Sequence, residues 1–305
     1  MGQDDAVHDG VGASEPQADS TSALLAGLAI YSGFSLISLA ICIWGVRLFS
    51  GPGLDRKGAR DLDPIPTTAW FAAAGLAWLV VPITAGIGVG IATASGDDPT
   101  ETIAAAATDI RFLGLTQSIA YGLSSIACLA LAWFIARKAP NAGLRARPVD
   151  AIVGPGTWML IVPFTLVAGS IAALAAAAFA GESPEPITHD TLRTISEERN
   201  NPWMWGLALS ATVGAGVVEE ITYRGLLQSG FRRLTKSPWA AIVATSTIFT
   251  LMHWSVVAEG RHALAVIFVL SIALGAAFER TKSIAVPIIA HAMFNAMQIL
   301  AVLAG

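Results

Sequence analysis

Eight long apolar stretches constrain the fold of this chain more than any other feature of its sequence. They cover residues 23–49, 67–94, 112–136, 157–181, 203–231, 238–258, 263–278 and 284–303. Most of them approach the roughly 20 residues that an α-helix needs to cross a bilayer. The pattern therefore predicts an all-α fold: a polytopic membrane helix bundle with about eight transmembrane helices.

The overall composition agrees with a membrane protein. Apolar residues make up 54% of the chain and charged residues 13%, against about 45–50% and 25% in soluble domains. No basic stripe with interleaved aromatic residues is present, so we expect the lipid bilayer and no nucleic acid as a partner. The two cysteines, Cys42 and Cys128, lie inside apolar stretches and form no recognisable disulfide or metal motif.

Positive charges alternate between successive links of the apolar stretches. Every second link, starting with the one between the first and second stretches, is basic, and together these links hold 13 Lys and Arg against four in the others. Cytoplasmic loops carry such an excess. We therefore expect an integral protein of a bacterial cell membrane, with the basic links in the cytoplasm and both termini outward.

The chain divides into three parts by composition. Residues 1–22 are acidic, contain no Lys or Arg, and are predicted to form a disordered tail. Residues 23–181 are predicted to form N-terminal transmembrane helices without a recognisable motif. After a polar loop at 182–201, residues 203–305 hold nearly all the polar groups that interrupt apolar stretches. The motifs within this part, described below, imply that it is a catalytic core.

Six polar side chains stand inside the apolar stretches of this last part: Glu219, Glu220, Arg224, His253, His291 and Asn295. A charged group at the centre of a bilayer costs about 2.5–3.5 kcal/mol on insertion scales. Singly, each has a structural explanation, such as a hydrogen-bonded packing histidine or a buried ion pair. Six together, on three helices, predict one shared polar cavity.

Other polar and small residues receive structural interpretations. His8, His189 and His262 lie in the tail or on outward links and are predicted to be solvated. The glycines of GIGVG, residues 86–90, are predicted to let neighbouring helices approach closely.

Two chemistries remain open for the cavity. A carboxylate and an imidazole can take a proton from water, and a second imidazole with an amide can stabilise an oxyanion. A glutamate and two histidines could equally hold Zn²⁺ with a position open for water. The sequence contains no HExxH signature, and no Ser–His or Cys–His pair stands out as a nucleophile.

Three ordered motifs carry a family resemblance. EEITYRG at 219–225, Phe249-x-x-x-His253 at 249–253 and His291-x-x-x-Asn295 at 291–295 resemble the motifs of the CPBP family. This CAAX protease and bacteriocin-processing family, also called Abi, includes the type II CAAX prenyl endopeptidases. The resemblance covers about 213–295, and its one departure is Tyr223, where the family more often has Phe.

The resemblance implies an intramembrane endopeptidase that hydrolyses a peptide bond of a membrane-associated or C-terminal peptide. Carried over to this sequence, Glu219 is the general base, His253 helps to activate water, and His291 and Asn295 stabilise the oxyanion. Glu220 and Arg224 are supporting residues, although Glu220 is sometimes counted as catalytic.

The resemblance leaves the cofactor in question. A glutamic protease without a cofactor is the preferred type, because the usual zinc spacing is missing. A zinc protease with Glu219, His253 and His291 as ligands is the alternative.

Two non-enzymatic hypotheses compete with the protease. A catalytically silent member of the family would act as a scaffold or immunity protein. A proton-coupled carrier would use the same polar groups as a relay, although carriers often show matched inverted repeats and this chain has intramembrane polar groups in one half only.

Overall fold

A computed structural model of the chain describes residues 25–40, 60–94, 109–180, 189–257 and 261–304. These ranges contain nine helices and no strand, which confirms the all-α prediction. The helices are α1 Leu25–Ala40, α2 Thr67–Ala94, α3 Ile110–Lys138, α4 Asp150–Ala180, α5 Asp190–Glu197, α6 204–235, α7 Pro238–Met252, α8 Ala263–Thr281 and α9 Ala285–Ala304. The predicted tail, 1–22, lies outside the described residues.

Five of these helices are long and apolar enough to cross a membrane by length and composition: α2, α3, α4, α8 and α9. Helices α1 and α7 are apolar but shorter, and α6 is interrupted along its length. Large apolar side chains such as Ile126 and Trp133 on α3 point outward, as expected of a surface that faces lipid. The protein is an integral membrane protein, and eight spans are compatible with this architecture.

Helix α6 is continuous but contains two π-helical segments. Its segments in chain order are Met204–Leu209 (α), Ser210–Gly214 (π), Ala215–Glu219 (α), Glu220–Leu227 (π) and Gln228–Thr235 (α). Near the first π segment, the hydroxyls of Ser210 and Thr212 donate to carbonyls four residues earlier. Such back-bonding loosens and bends helices. Both departures from α geometry lie next to the polar residues, as π segments often do at functional sites.

Only the central glycine of GIGVG acts as a close-packing residue. A Cβ on Gly88 would lie 2.7 Å from the carbonyl oxygen of Thr116 on α3, whereas a Cβ on Gly86 or Gly90 would meet nothing within 4 Å. The prediction of close helix approach is therefore right for one position of the three. Helices α2 and α3 pack against each other and against α6.

The polar loop at 182–201 contains a helix that the sequence did not predict. Helix α5 packs its one buried residue, Ile195, in an apolar cluster with Met204 of α6 and Ile299 of α9. It therefore lies at the end of the bundle where α6 begins and α9 ends. The division of the chain into N-terminal helices, 23–181, and a catalytic core, 203–305, stays a prediction.

Candidate active site

Glu220 and Arg224 form a buried ion pair on the second π segment of α6. Arg224 Nη1 donates to Glu220 Oε1 over 2.8 Å, and the two side chains are 0–1% exposed. Arg224 Nη2 also donates to Ser271 Oγ on α8 at 2.9 Å. Its guanidinium lies 4.5 Å from the centre of the Phe249 ring on α7. One cation thus ties α6 to two neighbouring helices.

His291 binds the same carboxylate from α9. Its Nδ1 lies 2.7 Å from Glu220 Oε1. An ionised carboxylate only accepts hydrogen bonds, so Nδ1 carries the proton and donates it. The other ring nitrogen, Nε2, faces Glu219 Oε2 at 4.0 Å. Glu220 therefore fixes the orientation of the imidazole and aims Nε2 towards the second glutamate.

The two adjacent glutamates occupy different environments. The Glu219 side chain keeps 19% of its surface exposed, whereas that of Glu220 keeps none. Consecutive residues of a helix point about 100° apart, so one can face the bundle interior while the other lines an opening. Glu219 is accordingly the glutamate whose side chain reaches the surface of the helix bundle.

His253 lies where α7 ends. Its Nδ1 lies 2.8 Å from the carbonyl oxygen of Phe249, one turn earlier. A carbonyl accepts only, so Nδ1 carries the proton and a neutral ring has its lone pair on Nε2. The bond also satisfies one of the carbonyls that a helix C-terminus leaves without an intrahelical partner.

Phe249 joins the three motifs through its aromatic ring. The ring centre lies 4.5 Å from that of His253, with the two planes tilted by 44°, and it meets His291 edge-on at 6.2 Å between centres. Tyr223, the one departure from the family pattern, packs edge-on against it at 5.0 Å. Phe249 is itself fully buried. The two histidines are therefore positioned by the same aromatic side chain, and Tyr223 supports it in a geometry typical of aromatic pairs.

Asn295 lies one turn after His291 on α9 and is held by α6. Its Nδ2 donates to the carbonyl oxygen of Ala211, in the first π segment, at 2.8 Å. Close by, a Cβ on Gly216 would lie 3.3 Å from the carbonyl oxygen of Ile288, so α6 and α9 approach closely here. The amide has two N–H groups, and this bond uses one of them.

His189 belongs to the same surroundings, although we predicted it to be solvated. It is half-buried and caps the N-terminus of α5, where Nδ1 accepts from the backbone N–H of Thr191 at 3.2 Å. Burial lowers the pKa of His189 and nearby His253 acts in the same direction, while Asp190 and Glu219 oppose them. His253 and Glu219 are therefore its electrostatic neighbours, which no sequence pattern indicated.

The spacing of potential ligand side chains bears on the zinc alternative. Among the residues that the structure describes, no three His, Cys, Asp or Glu side chains cluster closely enough to hold a metal ion. Glu219 and His291 are neighbours, and the Phe249 ring packs against both His253 and His291. The zinc alternative stays a prediction, and no catalytic step below depends on it.

The fold and this buried polar site define a class: helical, multi-span membrane proteins with an ionic site built from three helices. Comparison with protein families then places the C-terminal part of the chain. Residues 201–297 match the family described as "Type II CAAX prenyl endopeptidase Rce1-like". The match spans all six polar residues and confirms the resemblance of this region to CAAX proteases. Comparisons with curated proteins and with solved structures give no match.

Proposed function

We propose that this protein is an intramembrane endopeptidase in which Glu219 activates the attacking water. The family match to membrane endopeptidases supports hydrolysis of a peptide bond. The observation that carries the assignment of roles is the contrast between the two glutamates. Glu220 is enclosed and bound by Arg224 and His291, whereas Glu219 is partly exposed beside His291 Nε2.

In the proposed first step, Glu219 accepts a proton from water as the water oxygen bonds to the carbonyl carbon of the scissile peptide. The carbonyl double bond opens and its oxygen becomes an oxyanion. Glu219 then passes the proton to the leaving nitrogen as the C–N bond breaks, giving a carboxylic acid and an amine. General acid–base catalysis of this kind contributes about 10²–10⁴-fold in rate.

His291 and Asn295 supply the donors for the oxyanion. Asn295 has a second N–H besides the one bound to Ala211. His291 turns Nε2 towards Glu219 at 4.0 Å, and a proton on this nitrogen would provide the second donor.

Arg224 compensates the charge of the buried Glu220 carboxylate. Buried charges are tolerated when they are paired in this way.

His253 acts next to Glu219 as a second acceptor. Because its Nδ1 is bound to the Phe249 carbonyl, the lone pair of the neutral ring is on Nε2. One O–H group of the water can donate to that nitrogen while Glu219 takes up the other proton. We therefore assign His253 the role of orienting and polarising the water.

The test compares three single substitutions in purified protein reconstituted in liposomes. Cleavage of a library of membrane-anchored peptides is read by mass spectrometry. Glu219→Gln should lower the rate at least about 100-fold with little change in unfolding midpoint. Glu220→Gln should lower both rate and stability. Glu197→Gln, on the exposed face of α5, is the matched control and should match the wild type.

Two results would overturn the proposed function or the role of Glu219, and a third would change the cofactor. Wild-type protein that cleaves no member of the library would favour the silent scaffold. Equal turnover by wild type and Glu219→Gln would remove Glu219 as the base. A chelator that stops wild-type turnover, with recovery on adding Zn²⁺, would replace the cofactor-free mechanism by the zinc alternative.

A further inference from the structure

A ladder of buried polar contacts closes one side of the site. Below Arg224 and Ser271, the next turn of α6 places Gln228 against the next turn of α8. Gln228 Nε2 donates to the carbonyl oxygen of Gly275 at 3.1 Å and to Glu279 Oε1 at 2.9 Å. All of these residues are buried. The residues in contact recur every four positions on both helices. The polar contact between α6 and α8 therefore continues from the site towards the loop after α6.

Arg60 completes this closure at the end of the bundle. It pairs with Glu279 and donates to Ser229 Oγ at 2.8 Å and to the carbonyl oxygen of Ala142 at 3.0 Å. Its guanidinium lies 4.1 Å from the centre of the Phe278 ring. A buried cation with carboxylate, hydroxyl and carbonyl partners fills the space between α6 and α8. Arg60 and Glu279 are both buried by these contacts, so α6 and α8 are closely packed at this end.

The closed end is also the basic end of the bundle. Arg147 donates to the carbonyl oxygen of Thr281 at 2.8 Å, and Arg233 pairs with Asp63 at 2.8 Å. These contacts hold together the links before α2, between α3 and α4, after α6 and after α8. They are the links with 13 of the Lys and Arg residues. Since cytoplasmic loops carry the positive charge, this end faces the cytoplasm.

The exposed members of the site point the other way. Glu219 is partly exposed, and His253 ends α7 far from its basic N-terminal end. Trp254 and Ser255, which follow it, are both exposed. His189 approaches the same groups from the α5 segment, at the non-basic end of the bundle.

We propose that the active site is entered from the non-basic, extracytoplasmic end of the bundle, and that its substrates are peptide segments of membrane-anchored proteins on that outer face. The substrate class rests on the proposed protease function. The direction of entry rests on the closed ladder, the exposed residues and the charge distribution. A peptide presented only in the cytoplasm would meet the closed end.

Single-cysteine labelling tests the direction of entry without any need for activity. Cys42 and Cys128 are first replaced by Ser or Ala. Ser255→Cys then reports the end that holds His253, and Arg280→Cys, an exposed position at the basic end, is the matched control. In intact cells a charged, membrane-impermeant maleimide should label Ser255→Cys and should label Arg280→Cys only after permeabilisation. The reverse pattern would overturn the proposal.

A second measurement links direction to cleavage. In liposomes of mixed orientation, the labelled fraction of Ser255→Cys gives the share of molecules with that end outward. Cleavage of a peptide anchored only in the outer leaflet should rise in proportion to this share. A rate that follows the Arg280→Cys fraction would refute outward entry. Absence of cleavage in every preparation would refute the protease, while the labelling pattern would still decide the direction of entry.

Discussion

Replacing Arg224 by Met tests how the site is held together. Arg224 is almost fully buried and has three partners: the Glu220 carboxylate, the Ser271 hydroxyl and the Phe249 ring. Met fills a similar apolar volume but offers no charge and no donor. The substitution leaves Glu220 buried with His291 as its hydrogen-bond partner.

The expected loss of stability is large. Removing one member of a buried ion pair costs about 3–5 kcal/mol, because the remaining charge is uncompensated. Neutralising the partner as well, in Glu220→Gln with Arg224→Met, should reduce the loss to about 1–2 kcal/mol, the cost of the unsatisfied Ser271 hydroxyl and the lost cation–π contact. The double variant should thus be more stable than Arg224→Met alone by roughly 2–3 kcal/mol.

The assay is equilibrium unfolding of both single variants and the double variant in mixed micelles, followed by tryptophan fluorescence. Peptide cleavage is measured alongside it. Stability should return in the double variant, whereas cleavage should not, because Gln at 220 no longer offers a carboxylate to orient His291 through Nδ1. An Arg224→Met loss below about 1 kcal/mol, the range of exposed pairs, would refute the reasoning. So would a double variant as unstable as the single one.

Two further predictions concern packing and pH. Gly88→Ala should lower the free energy of unfolding by about 1–3 kcal/mol, because the added methyl group overpacks against the Thr116 carbonyl. Gly90→Ala, with open space around it, should be neutral or stabilising. Equal decreases in the free energy of unfolding would contradict this prediction. Burial lowers the pKa of His189. The neutral side chain therefore stabilises the folded state above about pH 6.5, and this stabilisation is lost as the pH falls below that value. Protonation of His189 also removes the hydrogen bond from the Thr191 N–H. In His189→Asn the helix cap does not titrate, so the free energy of unfolding should depend less on pH between about pH 7 and 5. Identical pH slopes for the variant and the wild type would contradict this prediction.

The existence of the site could be predicted from sequence because intramembrane charges are costly. That cost indicated that the polar groups share a cavity, and the structure brings Glu219, Glu220, Arg224 and His291 into direct contact or near-contact. Glu220 and Arg224 are four residues apart, a spacing that places two side chains on one helix face and favours the observed ion pair. The catalytic roles assigned to these residues stay proposals.

Other features depend on tertiary packing that local sequence does not encode. The sequence does not indicate which of Glu219 and Glu220 is buried, because that depends on where α8 and α9 lie. The π segments shift the helical face by fractions of a turn and have no simple residue pattern. His189 looked like a loop residue because the contacts that bury it come from α5 packing at the end of the bundle. The buried ladder through Gln228 likewise depends on the register of α6 against α8.

We interpret the two adjacent glutamates as a pair with different proposed roles, in which Glu219 activates water and Glu220 orients His291. A water-activating carboxylate must be ionised and near the bond to be cleaved, yet an isolated anion within a membrane is unstable. Arg224 cannot neutralise Glu219 by direct contact without also blocking it as a base. Placing the cation on Glu220 lets the buried carboxylate hold His291 by Nδ1, and His291 then presents Nε2 to Glu219 at 4.0 Å. Arg224 thus acts on Glu219 only indirectly, through Glu220 and His291, and in the proposed mechanism this leaves the Glu219 carboxylate able to accept a proton.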